Sequence, residues 1–336
     1  MKTTRAVVLN HYPIGSPKPD NVTLINLQLP DCNENQICVR ALFFSVDPYM
    51  RNRLRPEGTQ YIPAFGLGQV LESMGIAEVI QSESCQFKVG DLVIGMLPWQ
   101  EFSIVDVSKV KPVQKTIMPL TTHLGIMGYP GLTAYVGIHY FAKPTYGQKM
   151  FISGAAGAVG SIAAQMAKLL GCNVIGSTSN QEKIDYLLND LKIHGAFNYT
   201  KYQNNYKSAL ENNCPEGIDI YFENVGGEML EAVIDYIKPN STIVICGAIA
   251  QYNDPNPKRG PVNFNTLIQK KLKFLGYIVT DYDHLWNEFQ HYVSHHYQKG
   301  MISYRETIIE GFENLWPAFI NLFESKNIGK MLVSLN

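Results

Sequence analysis

Residues 151–161 read Phe-Ile-Ser-Gly-Ala-Ala-Gly-Ala-Val-Gly-Ser. Gly154, Gly157 and Gly160 follow a short apolar run, Met150 to Ser153, that reads as a buried strand. Val159, Ile162, Ala163, Met166, Leu169 and Leu170 then repeat with helical period, and Gly171 stands where that helix should stop. Val174 to Gly176 is the next buried strand. Strand, glycine turn, helix and parallel strand make a βαβ unit of the dinucleotide-binding kind. The glycines permit a tight turn and a close backbone approach. A diphosphate can then sit on the N–H groups of Gly157, Ala158, Val159 and Gly160 at the helix start. The motif is GxxGxxG rather than GxGxxG, so the flanking strand and helix carry the reading. The plainer alternative is a packing turn in another α/β protein.

The end of the second strand selects the nucleotide. An NAD site places an acid there for the ribose 2′-OH. This chain has Ser177, Thr178, Ser179 and Asn180, with Lys183 one turn into the next helix. Hydroxyls and a cation suit a 2′-phosphate, so NADP(H) is the expected cofactor. A methyltransferase would also want an acid at this place. Lys183 could otherwise be a solvated helix lysine. Ser179 and Glu182 have the spacing of a capping box.

The same segment resembles the medium-chain dehydrogenase/reductase superfamily. Within it, the chain is similar to the leukotriene B4 12-hydroxydehydrogenase/prostaglandin reductase branch, which includes the 2-alkenal reductases. Matching stretches run nearly end to end: Asp47-Pro48-Tyr49-Met50-Arg51, Gly128 to Tyr135, Ala155 to Ser161, Phe222 to Gly227, Cys246 to Asn253, Glu310 to Asn314 and Asn327 to Lys330. The resemblance implies an α/β protein: a Rossmann-type, doubly wound parallel-sheet domain beside a mainly-β, GroES-like barrel domain. It also implies a homodimer.

Composition sets independent bounds. A chain of 336 residues suggests two domains. Hydrophobic content of 46 % and charged content of 17 % suit a globular enzyme. A net charge of −1 gives no argument for nucleic acid or an anionic membrane as partner. The N-terminus lacks the apolar core of a signal peptide, and no run approaches a membrane span, so a cytoplasmic location is expected. The cysteines Cys32, Cys38, Cys85, Cys172, Cys214 and Cys246 form no CxxC pair and read as reduced. Zinc-dependent relatives in the superfamily use a four-cysteine lobe and a Cys/His catalytic site. Here neither Phe44-Ser45-Val46 nor Leu67-Gln69-Val70 supplies a soft ligand, so no metal is expected.

Along the chain, residues 1–121 read as short strands punctuated by Pro, Gly and Asp, among them Arg5–Leu9, Ile37–Phe43, Gly66–Ser73, Glu78–Ile80 and Leu92–Leu97. Residues 122–306 read as strand–helix alternation, hence a parallel sheet whose ligand lies outside the strands' carboxyl ends. Expected elements there include a helix Ser179–Leu188, strands Thr242–Ala248 and Leu272–Val279, and a helix Tyr282–Gln298. The resemblance returns the tail, 307–336, to the barrel domain.

Three strand ends hold further candidates. Asn224, with Gly226 and Gly227, follows a buried strand; the family uses this Asn at the cofactor, and a simple Asn turn is the alternative. Cys246, Gly247, Ala248 and Ile249 are small enough to leave room for a nicotinamide. Cys246 itself reads as a buried residue, not a nucleophile. Tyr252 follows, at the start of a polar loop, Asn253–Pro261. By resemblance its hydroxyl points towards the substrate or the nicotinamide ribose, and a loop aromatic covering apolar surface is the alternative. Tyr277, Ile278 and Val279 end the last strand and would face the carboxamide through backbone. Tyr199 and Asn327 are cofactor contacts by resemblance alone. Tyr49 is a candidate wall of the substrate pocket, or else a packed tyrosine after an Asx-Pro turn.

Other chemistries lack their signatures. None of the 19 tyrosines has Lys at the fourth following position, as short-chain dehydrogenases require, and GxSxG is absent. The expected reaction is NADPH-dependent reduction of the carbon–carbon double bond of an α,β-unsaturated ketone or aldehyde, with Tyr252 as the catalytic donor. A zinc-free NADPH:quinone oxidoreductase and a non-catalytic NADPH-binding protein are the alternatives.

Overall fold

The computed structural model describes every residue except 1–2, 60, 115, 203–204, 257–259 and 336. Part of the Asn253–Pro261 loop therefore lies outside the described residues. The described chain divides into two compact units, Met1–Leu124 with Glu306–Asn327 and Met331–Asn336, and Gly125–Arg305 with Ile328–Lys330.

The second unit is built on six parallel strands: β1 (Lys149–Ile152), β2 (Asn173–Thr178), β3 (Gly195–Asn198), β4 (Ile220–Glu223), β5 (Thr242–Ile245) and β6 (Lys273–Gly276). Their spatial order is 3-2-1-4-5-6. That order reverses direction between β1 and β4, the switch point at which doubly wound sheets bind ligands. Helix α1 (Ala158–Leu169) crosses from β1 to β2 and buries Ile162, Ala163 and Met166. Ile162 and Met166 each contribute about 1.5–3 kcal/mol, so its buried face holds α1 more than propensity does. Gly171 N donates to Lys168 O at 2.9 Å and ends it. Helix α2 (Gly227–Tyr236) lays Met229, Leu230 and Val233 on the sheet face that carries Phe151 and Tyr221. Phe197, Phe151 and Tyr221 stack across β3, β1 and β4, with centroids 5.7 and 5.1 Å apart.

The first unit is mainly antiparallel β. Its central strand, Gln36–Ser45, pairs with Glu72–Ser82, Phe102–Asp106 and the tail strand Lys330–Ser334. Leu92–Pro98 continues the sheet to Val110–Pro112. Ile37, Val39, Phe44 and Trp99 form its core with Leu315, Trp316 and Phe319 of the tail helix. Ile328–Lys330 is the exception in the tail. Gly329 N donates to Ala156 O at 2.8 Å, and a Cβ on Gly329 would stand 1.8 Å from the Arg305 carbonyl oxygen. Only glycine lets the chain pass there.

Several expected elements differ in extent. Gly66–Ser73 is not a strand: the chain turns through Gly68, and the strand begins at Glu72. The strand expected over Thr242–Ala248 stops at Ile245: Cys246 N makes the last ladder bond, to Glu223 O at 2.9 Å, and Gly247 N turns back to the same oxygen at 3.1 Å. The strand expected over Leu272–Val279 spans only Lys273–Gly276, and a 3-10 turn, Val279–Leu285, precedes the helix Trp286–Gln298. The helix expected from Ser179 begins at Gln181 and turns into a π-helix at Tyr186. Asn180, not Ser179, caps it, accepting Lys183 N–H at 3.0 Å. Glu182 turns away to Arg305 at 3.3 Å, so no capping box forms.

Candidate active site

The glycine turn after β1 is shaped by contact. A Cβ on Gly160 would meet the Gly154 carbonyl oxygen at 2.4 Å and Ala155 Cα at 2.9 Å. The N–H groups of Ala158, Val159 and Gly160 fall in the first helical turn, where the helix offers no acceptor. The N-cap, Gly157, does not join them as expected, because its own N–H donates to Gly154 O at 3.0 Å within the turn. The result is a short row of backbone donors at the positive end of α1.

At the end of β2, Ser177 Oγ and Ser179 Oγ are buried with no hydrogen-bond partner among the described residues. Lys183, on the turn that follows, is 7 % exposed. Burial lowers its ammonium below the ordinary 10.5, while Glu182 works the other way. No carboxylate stands within the strand end itself. Tyr199 opens a 3-10 turn after the neighbouring β3, half-buried against the unit's core.

The ends of β4 and β5 form a shelf. Ile249 N donates to Asn224 O at 3.2 Å, and Ala250 N to Val225 O at 3.0 Å. With the Cys246 and Gly247 bonds to Glu223, these fix Cys246–Ile249 against Glu223–Val225. Asn224 Nδ2 donates to Ser153 O at 2.8 Å. A short helix, α3 (Ile249–Tyr252), brings Tyr252 back over the shelf. Its oxygen accepts Ala248 N–H at 3.4 Å and would lie 3.6 Å from a Cβ on Gly247. Burial pushes the Cys246 thiol up to about 12, so it stays protonated at neutral pH.

The remaining candidates are placed differently. Tyr277 donates its hydroxyl to Thr133 O at 2.7 Å and stacks on Phe141 at 4.8 Å. Its side chain is committed inward, which leaves only the backbone of Tyr277, Ile278 and Val279 to face a ligand. Tyr49 belongs to the mainly-β unit and packs half-buried against that unit's core. Burial, and Asp47 beside it, push its phenol well above the ordinary value. Neighbouring Arg51 is fully buried and donates to Pro13 O and Gly15 O at 3.1 and 2.9 Å, which holds the Tyr49 segment down. Asn327 is the last residue of the Glu306–Asn327 segment of that unit. A cavity of about 360 Å³, bordered by Tyr140, Phe141, Lys143, Asp219 and Lys273, opens at the amino ends of the strands, away from this shelf. Among the described residues no group of three His, Cys, Asp or Glu could hold a metal ion.

Ser153 and Glu223, both buried and joined by a 2.8 Å hydrogen bond, stand beside the shelf residues and are not among the expected site residues. The available signal was a Glu closing the otherwise apolar strand Ile-Tyr-Phe-Glu at residues 220–223.

These features fit NADP(H). A cradle that a Cβ would fill and a row of backbone N–H groups suit a diphosphate. Two orphaned buried hydroxyls with a buried ammonium suit a 2′-phosphate. Small residues at 246–249 leave space beside backbone for a flat ring.

Residues 5–113 match the family described as N-terminal domain of oxidoreductase, and residues 158–296 that described as zinc-binding dehydrogenase. The chain is 38 % identical to 2-alkenal reductase (NADP(+)-dependent) of Nicotiana tabacum, over 99 % of this chain and 98 % of the relative. It is 34 % identical to prostaglandin reductase 1 of Sus scrofa, over 99 % of each. The solved structure of CurA from Vibrio vulnificus in complex with NADPH matches with a TM-score of 0.92 at 33 % identity, over 99 % of each chain.

Proposed function

The chain belongs to the zinc-free alkenal and prostaglandin reductase branch of the medium-chain dehydrogenase/reductase superfamily, and from that premise we propose that it reduces the carbon–carbon double bond of α,β-unsaturated ketones and aldehydes with NADPH. The observation that carries the reading is the shelf. The ends of β4 and β5 offer backbone and small residues, and the Tyr252 oxygen stands over them.

Bound NADPH supplies the hydride. The residues of this chain have the other tasks. Ala158, Val159 and Gly160 hold the diphosphate by their N–H groups. Ser177, Ser179 and Lys183 take the 2′-phosphate, with Tyr199 beside them. Asn224 and the Cys246–Ile249 backbone seat the nicotinamide, with the backbone of Tyr277, Ile278 and Val279 at the carboxamide. Reduction at the β-carbon leaves negative charge on the carbonyl oxygen, and Tyr252 donates a hydrogen bond to it. A donor aimed at charge that develops only in the transition state lowers the barrier directly. The α-carbon takes its proton from solvent, so no carboxylic acid is required. Tyr49 and Asn327 enter the proposal on the family resemblance alone, as does the division of labour between a substrate-side β unit and an NADP-binding unit.

A homodimer belongs to the same proposal. Among the described residues strand β6 is the sheet's last strand, with one open edge. Phe274, Ile268 and Phe264, on and before it, are 39, 74 and 59 % exposed. An open edge with exposed apolar side chains is a pairing surface. Cytoplasmic location is proposed too, on six cysteines of which none is in a disulfide. Among the described residues no helix is long and apolar enough to cross a membrane.

The test is NADPH consumption over a panel of enals, enones, 15-oxo prostanoids and quinones, with the products identified. Saturated carbonyl products are expected. Turnover of quinones alone, or NADPH binding without consumption, would overturn the reading.

A further inference from the structure

Beneath the shelf lies a buried polar chain that the mechanism above does not use. Ser153, just past β1, and Tyr221 and Glu223, on β4, are all fully buried. Ser153 Oγ donates to Glu223 Oε1 at 2.8 Å and in turn accepts Asn224 N–H at 3.0 Å. Glu223 Oε1 also accepts Val225 N–H. The Glu223 carbonyl receives Cys246 N and Gly247 N, and the Ser153 carbonyl receives Asn224 Nδ2. One carboxyl group therefore ties the ends of β1 and β4 together at the two residues, Asn224 and Val225, against which the Cys246–Ala250 segment is bonded.

This arrangement is costly. Glu223 Oε2 and the Tyr221 hydroxyl facing it meet no partner within hydrogen-bonding geometry among the described residues. Burial raises the Glu223 carboxyl above its ordinary value. An apolar residue of similar volume would avoid the desolvation penalty and continue the Ile-Tyr-Phe pattern. What an apolar residue cannot do is accept the Ser153 proton. Without that acceptor the serine hydroxyl has no reason to present its oxygen to Asn224 N–H, and the turn after β4 loses its anchor.

We propose that Glu223 is a positioning residue for NADP(H) binding, acting through Ser153 and the Val225 amide to hold Asn224 and the turn that supports the Cys246–Ala248 shelf. The inference rests on the cofactor reading above. It concerns affinity, because the carboxyl is fully buried beneath the shelf and acts only through its neighbours.

The test is a double-mutant cycle read by NADPH fluorescence titration, with circular-dichroism melts alongside. Ser153→Ala and Glu223→Leu should each weaken NADPH by about tenfold, the scale of one lost neutral hydrogen bond. The double variant should also lose about tenfold, not about a hundredfold, since both act along one chain. Glu223→Gln keeps an acceptor at Oε1 and should bind NADPH within about threefold of wild type. With NADPH saturating, kcat of Ser153→Ala should return to within about twofold. Lower melting temperatures with unchanged affinity, or single effects that multiply, would overturn the proposal. If Glu223→Leu does not fold, Ser153→Ala decides: unchanged affinity sinks the idea. Asn224→Ala separates the two readings. If it weakens NADPH while the Ser153 and Glu223 variants do not, only this inference falls. If the wild type does not bind NADPH, the cofactor reading falls with it.

Discussion

Lys183 and Tyr252 are the two side chains on which the chemistry turns, and each is defined by what surrounds it. Lys183 is buried at a strand end with two orphaned serine hydroxyls. A hydrogen bond to a charged group contributes about 1.5–3 kcal/mol. Lys183→Ala should therefore weaken NADPH by about 10- to 150-fold and leave NADH nearly unchanged, as measured by titration of both cofactors. Equal losses for the two would show that Lys183 does not bind the 2′-phosphate. Tyr252→Phe keeps the ring over Gly247 and removes only the hydroxyl. Loss of one donor to a developing oxyanion costs about 2.7–4 kcal/mol, or roughly 10²–10³ in kcat. The loss should fall on kcat rather than on NADPH affinity. Unchanged kcat with collapsed NADPH binding would make Tyr252 a cofactor clamp instead. In the wild type its oxygen accepts Ala248 N–H at 3.4 Å, which holds the ring over the shelf.

At the scale of elements, the glycine turn into α1 is the least tolerant place. Gly160→Ala puts a Cβ 2.4 Å from a carbonyl oxygen that belongs to the same turn. Overpacking of this kind costs about 1–3 kcal/mol, and urea unfolding should show it together with weaker NADPH binding. A variant of full stability and affinity would mean that the turn relaxes and its close packing is not required. This element was also the most legible in the sequence, since strand, glycines and helical periodicity are all local signals. Legibility failed where a distant partner decides. Strand β5 ends at Ile245 because Gly247 N turns back to Glu223 O, the oxygen that Cys246 N already uses, more than twenty residues away. The helix after β2 starts at Gln181, two residues late, because the Asn180 side chain, not that of Ser179, accepts Lys183 N–H. The Ser153–Glu223 bond joins residues 70 apart in sequence; no motif spacing announces it. Glycines, serines and Lys183 at strand ends could be read as a cofactor site from residue type alone. The inward commitment of Tyr277 to Thr133 could not.

At the scale of the whole molecule, the chain separates into a mainly-β unit and a parallel-sheet unit, with the tail strand returning to the first. The open edge of β6 predicts a dimer. Light scattering should report a mass near twice the 37.7 kDa of one chain, and Phe274→Glu should shift it towards the monomer. A wild-type mass of a single chain at micromolar concentration would contradict that assignment. The central claim is the direction of electron flow: hydride from NADPH to the β-carbon of an enone or enal. The most direct measurement uses NADPH deuterated at the transferable position, one α,β-unsaturated ketone, and NMR of the product. The expected product is a saturated ketone carrying deuterium at the β-carbon and protium from solvent at the α-carbon. Deuterium at the carbonyl carbon, giving an allylic alcohol, would contradict it.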